Sequence, residues 1–141
     1  MKISIINGPN LNLLGSRETN IYGGETFESY FQKLRKKYPQ TDFDYFQSNV
    51  EGELINEIQN AGKKMDGIIL NAGGYTHTSI AIGDAIKAIK IPVIEVHISN
   101  IAAREDFRKH SYLSSVCSGT IFGFGLNGYD LAVQGLIMRK L

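Results

Sequence analysis

The stretch IPVIEVHIS, residues 91–99, places a carboxylate and an imidazole where they can move a proton. Side chains alternate across a strand, so Glu95 and His97 share one face of the strand predicted over 93–98. A carboxylate in an apolar strand is costly to bury unless it is paired. A glutamate behind a histidine fixes the tautomer of the ring and stabilises its imidazolium form. The pattern therefore predicts that His97 is a general acid, and a purely structural ion pair is the alternative.

Arg17 and Tyr22 are the second pair that could carry chemistry. A phenol with a pKa near 10 is a poor base at neutral pH, and lowering that pKa by about three units requires roughly 4 kcal/mol. One guanidinium about 4 Å away, at an effective dielectric constant of about 20, supplies about that much. Tyr22 could then act as a phenolate base. Alone, each residue is more often a surface or packing residue.

The elements that must position these groups alternate between strand and helix. The predicted strands cover residues 2–6, 43–47, 67–70, 93–98 and 120–124. One helix begins after Thr26 and is closed by Pro39, a second stops at Gly62, a third covers 76–89, and a closing helix contains 131–138. This alternation predicts an α/β fold with a five-stranded parallel sheet and helices on both faces, in a flavodoxin-like form.

Polar side chains follow three of these strands at the point where each strand ends. Ligands bind at the carboxyl ends of the strands in such sheets, and a long loop without apolar periodicity, as in about 15–24, is typical of a binding loop or lid. The residues that we expect to converge there are Asn10, Asn12, Arg17, Tyr22, Asn71, His77, His97 and Ser99.

Length and composition limit the class of protein. The 141 residues fit a single domain spanning 1–141. A formal net charge of +1 without a basic run argues against a nucleic-acid partner, and no apolar stretch is long enough to span a membrane. Cys117 is the single cysteine, and no Cys/His cluster has the spacing of metal ligands. We therefore expect a reduced, cytoplasmic protein without a metal.

Four separated motifs, NGPNLNLLG, RETNIYGG, ILNAGGYTHTS and EVHISN, occur in this order. Together they resemble the type II 3-dehydroquinate dehydratases, from Lys2 to about Leu136. The resemblance implies a flavodoxin-like subunit, assembled from trimers into a homododecamer. It also implies dehydration of 3-dehydroquinate to 3-dehydroshikimate, a step of the shikimate pathway to aromatic amino acids, by anti elimination through an enolate without cofactor or metal.

By this resemblance Tyr22 is the base beside the ketone and Arg17 helps to hold it as phenolate on a mobile lid. Asn10 would stabilise the enolate through a bound water, and His97, backed by Glu95, would protonate the departing hydroxyl. These roles agree with the parts that enolate chemistry requires, namely an acid, a base and donors for the oxyanion.

The remaining site assignments also come from the resemblance. Asp84, inside the third predicted helix, is expected at a subunit boundary, reaching the site of a neighbour; a partly solvated helix charge is the alternative. Thr19 departs from the proline that is common in the family and could loosen the lid. The residues that resemble substrate-binding positions are Asn71, His77, Asp84, Ile98, Ser99 and Arg108, whereas His110 and Cys117 are expected to be structural.

Two other classes of function stay open at this point. A flavodoxin-like domain could bind a flavin or nucleotide, but the first turn lacks the G-x-G-x-x-G and P-loop patterns. A non-catalytic scaffold could use the loop only for assembly. Neither alternative accounts for Glu95 and His97 as directly as acid catalysis does.

Overall fold

The computed structural model describes residues 1–16 and 24–140, and a five-stranded parallel sheet of order β2-β1-β3-β4-β5 lies at its centre. The strands are β1 (Lys2–Asn7), β2 (Asp42–Gln47), β3 (Gly67–Asn71), β4 (Val93–His97) and β5 (Gly119–Phe122). The α-helices of the described part are α1 (Phe27–Lys37), α2 (Glu51–Lys64), α3 (Ile80–Lys87) and α4 (Asn127–Lys140). The predicted flavodoxin-like α/β fold is confirmed.

The helices cover both faces of the sheet, as the alternation predicts. One apolar layer joins α1 and α4 to Ile5, Ile94 and Val96. The other layer joins α2 and α3 to Ile68 and Leu70. Every residue of β3 and β4 is buried, which explains their nearly continuous apolar sequences. Alternation in β4 therefore turns Ile94 and Val96 toward α1 and α4, and turns Glu95 and His97 toward the opposite face.

The third helix begins later than the sequence predicts. Residues Gly73–His77 form a 3-10 turn, and α3 starts at Ile80, where the Ser79 hydroxyl accepts a hydrogen bond from the amide of Ile82 at 2.9 Å. The prediction of one helix over 76–89 is wrong because this cap starts a new helix. His77 consequently belongs to the turn and not to the helix.

Two smaller predictions about element ends are also wrong. Helix α2 continues past Gly62 to Lys64, and Gly62 packs directly against the Ile89 side chain, so close packing accounts for this glycine. Strand β5 stops at Phe122 because Gly123 adopts a φ of +90°, which is incompatible with extended backbone. By contrast, α1 begins as predicted, with Thr26 Oγ1 accepting from the Ser29 amide at 3.2 Å.

The strand order reverses its direction of growth between β1 and β3. This switch point is where loops at the carboxyl edge separate and leave a crevice. In the described ranges, 1–16 and 24–140, no helix is long and apolar enough to cross a membrane.

Candidate active site

A cavity of about 140 Å³ lies at the carboxyl edge of β1, β3 and β4. The described residues that line it include seven of those singled out from the sequence, which are Asn10, Asn71, His77, His97, Ile98, Ser99 and Arg108. The structure thus brings together residues that are separated by up to 98 positions in the chain. Arg104 also lines this cavity, and no Asp or Glu from the described part of the chain does.

Two glycines allow the loops after β1 and β3 to meet at the floor of the cavity. The Gly8 amide donates to the carbonyl of Asn71 at 2.7 Å, and a Cβ at Gly8 would lie 2.6 Å from the Ala72 carbonyl oxygen. Gly73 has a φ of +59° and packs against the backbone of Pro9. Backbone contact this close excludes side chains, which explains the glycines of NGPN and NAGG.

Glu95 and His97 form the predicted pair. Nε2 of His97 lies 2.8 Å from Oε1 of Glu95, the carboxylate is fully buried, and the imidazole is 5% exposed. With Nε2–H donating to the carboxylate, Nδ1 is the ring nitrogen left for a second proton. The pair has the geometry of an imidazole whose ring is oriented by a carboxylate.

Four hydroxyl groups complete the surroundings of Glu95, and sequence reasoning did not identify them. Thr76 donates to Oε1 at 2.9 Å, and Ser111 donates to the same oxygen at 3.0 Å. Ser114 donates to Oε2 at 2.5 Å, and Thr120 does so at 3.3 Å. They come from the 3-10 turn, the segment before β5 and β5 itself, so spacing in the sequence carries no signal for them.

The hydrogen bonds around Glu95 outweigh the effect of its burial. Burial by itself would raise the pKa of this carboxyl group, but hydrogen bonds from His97, Ser114 and Thr76 and the nearby imidazole charge lower it to about 2. The glutamate is therefore an anion at neutral pH. An anionic Glu95 can accept the hydrogen bond of His97 and stabilise an imidazolium, as a general acid requires.

His77 faces the same cavity as a neutral imidazole. Its Nδ1 lies 2.7 Å from the carbonyl oxygen of His110, so Nδ1–H donates and Nε2 is an acceptor. Burial is the main cause that lowers the pKa of His77, and the positive charge of His97 acts in the same direction. The rings of His77 and His97 are 6.2 Å apart. His77 can thus accept a hydrogen bond from a hydroxyl group on a ligand.

The two asparagines of the cavity are held in different ways. Asn71 donates from Nδ2 to the Tyr129 hydroxyl at 2.9 Å and accepts from the Gly73 amide at 3.2 Å. Tyr129 is fully buried and donates in turn to Asn7 Oδ1 at 2.8 Å. Asn10 is exposed, and its backbone adopts a left-handed φ of +69°.

The arginines after β4 give the cavity its positive charge. Arg104 donates from Nη1 to the Ser99 hydroxyl at 3.3 Å, and Arg108 donates from Nε to Glu105 at 2.8 Å. Both arginines line the cavity. Of the two, only Arg108 is predicted from the sequence as a site residue, although Arg104 lies in the same polar segment. The cavity therefore suits an anionic ligand.

Two other predicted residues, the exposed Asn12 and Asp84, are not among the described residues that line the cavity, so the expected convergence is wrong for Asn12. Asp84 is on the exposed side of α3, 3.4 Å from Lys87, and is not among the described residues that line the cavity of its own chain. Arg17, Thr19 and Tyr22, together with most of the predicted lid over 15–24, lie outside the described residues. Within residues 1–16 and 24–140, no group of three or more His, Cys, Asp or Glu side chains could hold a metal ion.

Comparison with known proteins adds an independent observation. Residues 1–137 match the family described as dehydroquinase class II. A 3-dehydroquinate dehydratase of Fusobacterium nucleatum is 59% identical over 143 aligned residues, which cover 97% of each chain. One of Campylobacter jejuni is 53% identical over 139 residues, which cover 97% of this chain and 87% of its own. The crystal structure of a type II dehydroquinase from Butyrivibrio crossotus superposes with a TM-score of 0.94 at 48% identity, covering 97% of both chains.

Proposed function

The chain belongs to the class II dehydroquinase family, and from this premise we propose that it dehydrates 3-dehydroquinate through an enolate, with Tyr22 as base and His97 as acid. The enzyme is a hydro-lyase that acts on a small molecule. The observation that supports the acid best is the contact of 2.8 Å between His97, which lines the cavity, and the buried, anionic Glu95 behind it. Residues 1–141 would act as one dehydroquinase domain.

The reaction breaks one C–H bond and one C–O bond. The base removes the proton beside the ketone, and the electron pair of the C–H bond becomes the enolate. The enolate then forms the new C=C bond as the hydroxyl leaves, and His97 protonates that hydroxyl so that it departs as water. Because Nε2–H of His97 faces Glu95, the proton would come from Nδ1. Glu95 stabilises the imidazolium before this transfer.

The base and the oxyanion partner are assigned from the sequence motif and the family. Arg17 and Tyr22 come after β1 in the sequence, and their roles rest on the sequence motif and the family. Asn10, three residues after the end of β1, lines the cavity. Its carboxamide would stabilise the enolate oxygen through a bound water. Residues 15–24 would close over the substrate as a lid.

The rest of the cavity would bind the substrate carboxylate and hydroxyls. Two arginines and no described carboxylate line it, which favours an anionic substrate. The backbone near Ile98 and Ser99 would bind the carboxylate, and Arg108 would add charge. His77 Nε2 would accept from a substrate hydroxyl, and Asn71 would present the polar wall beside it. No step needs a cofactor or a metal.

Turnover measurements test the acid and the base directly. We expect Tyr22→Phe and His97→Ala to lose almost all turnover, followed as the rise in ultraviolet absorbance of the conjugated enone with chelator present. His110→Ala is the matched control, because this imidazole is exposed and is not among the described cavity residues. Full turnover by both test variants would overturn the assignment, and a metal requirement would contradict the scheme.

The working assembly is proposed to be a trimer, four of which form a homododecamer, in the cytoplasm. The exposed Asp84 and the 62%-exposed Ile80 on the same helix support a subunit contact at α3. If Asp84 reaches the site of a neighbour, mixed trimers of Asp84→Ala and His97→Ala subunits should recover turnover that neither variant has alone. Light scattering measures the assembly, and the absence of recovery would refute the shared site.

A further inference from the structure

Asn49, just after β2, connects the loops that follow three neighbouring strands. Its Oδ1 accepts from the Asn10 amide at 3.0 Å and from Gln47 Nε2 at 3.2 Å. Its carbonyl oxygen accepts from the Tyr75 hydroxyl at 2.9 Å, in the turn after β3. Gln47 Nε2 also donates to the Gly8 carbonyl at 3.1 Å. Asn49 itself is exposed and is not among the described residues lining the cavity.

The backbone of Asn10 explains why such a connection is needed. Its φ of +69° and ψ of −6° lie in the left-handed region, and it is the single non-glycine residue with positive φ in the described ranges. Residues other than glycine adopt this conformation at a cost, and it persists where the surroundings hold it. The Asn10 side chain makes no capping hydrogen bond of its own. The Asn10 carbonyl accepts from the Leu13 amide at 3.0 Å, and the bond from the Asn10 amide to Asn49 is the side-chain contact that opposes relaxation.

We propose that Asn49 is a positioning residue for Asn10. By accepting the Asn10 amide hydrogen, Asn49 Oδ1 keeps the backbone left-handed and so keeps the Asn10 carboxamide against the cavity. Relaxation to the right-handed region would rotate that side chain away from the enolate. The Gln47 contact orients the Asn49 amide, because a donor from Gln47 and a donor from Asn10 both require the oxygen at this position. The inference rests on the oxyanion role given to Asn10 under the proposed function.

Two substitutions at position 49 distinguish the loss of the hydrogen-bond acceptor from other effects of changing the side chain. Asn49→Ala removes Oδ1, whereas Asn49→Asp retains an oxygen for both donors. We expect Asn49→Ala to lower kcat by about tenfold with KM nearly unchanged, as for one lost hydrogen bond that acts in the transition state. Asn49→Asp should restore most of kcat. Unchanged kcat in Asn49→Ala, or no rescue by Asn49→Asp, would overturn the proposal.

A double-mutant cycle that combines Asn49→Ala with Asn10→Ala distinguishes this proposal from the function it rests on. If Asn49 acts through Asn10, adding Asn49→Ala to Asn10→Ala should cause almost no further loss. An equal further loss in the double variant would refute the positioning role while the oxyanion role stands. Full kcat in Asn10→Ala alone would instead refute the oxyanion role.

Crystal structures of the two variants give a readout that is independent of turnover. Residue 10 should keep a positive φ in Asn49→Asp and move to a negative φ in Asn49→Ala. A left-handed Asn10 in both structures would overturn the proposal, whatever the kinetics show.

Discussion

Replacing Glu95 by Gln should change how the stability of the fold depends on pH. The folded-state pKa of Glu95 is about 2, compared with 4.5 for an unperturbed glutamate. A lowered pKa means that the folded state prefers the anion, which contributes about 3 kcal/mol to the free energy of unfolding. This contribution is complete above pH 4.5 and disappears as the pH falls toward 2. Glutamine resembles the protonated carboxyl group and has no proton to gain.

The difference in the free energy of unfolding between the two proteins should therefore shrink as the pH falls. Near neutral pH, Glu95→Gln should be less stable than the natural sequence by about 3 kcal/mol, and the two curves should converge as the pH approaches 2. Urea unfolding followed by circular dichroism, at one fixed subunit concentration and stepped pH values, measures both curves. Glu28→Gln is the control, because Glu28 is exposed and the same charge is removed.

Two results would refute this account of Glu95. A difference between the two proteins that stays constant with pH would mean that Glu95 is not held as an anion by its hydrogen bonds. The second result is that the free energy of unfolding of Glu28→Gln converges on that of the natural sequence by the same amount as the pH falls. That result would mean that net charge, and not the local contacts, causes the effect. Either result would also remove the physical basis for an anionic Glu95 behind His97.

Four further predictions concern packing and reactivity. Gly62→Ala should destabilise the fold by about 1–3 kcal/mol because its Cβ would overlap Ile89, and the measurement is urea unfolding. Gly52→Ala, in the same helix with open space around it, should stabilise by about 0.5–1 kcal/mol in that assay. Tyr129→Phe should cost about 1–3 kcal/mol because two buried asparagine amides lose their partner. Burial raises the pKa of Cys117 to about 12, so alkylation by iodoacetamide, read by mass spectrometry, should be slow until the protein unfolds.

The strands and the acid pair could be predicted because their signals are local. A buried parallel strand is an apolar run, and a carboxylate two residues from a histidine in such a run shares its face. The start of α3 could not be predicted as easily, because residues 76–89 are compatible with one helix. Only the Ser79 cap and the turn before it, both seen in the structure, place the start at Ile80.

The hydrogen-bond partners of Glu95 and Asn10 could not be predicted from the sequence, for a different reason. Ser111 and Ser114 lie 16 and 19 positions from Glu95, and Asn49 lies 39 positions from Asn10. Serine and asparagine are common in loops, so their residue type is not informative. Their roles follow only from which loops the strand order brings to one edge.

The cost of burying Glu95 connects the fold to its chemistry. Strands β3 and β4 are buried throughout, so a charge in β4 is tolerated only if donors surround it. Those donors come from the turn after β3, the segment before β5 and β5 itself, and these segments meet only when the outer part of the sheet is complete. Until they meet, a carboxylate buried in β4 lacks the donors that offset the cost of its desolvation. The acid is thus a property of the assembled sheet edge, not of the Glu95–His97 pair alone.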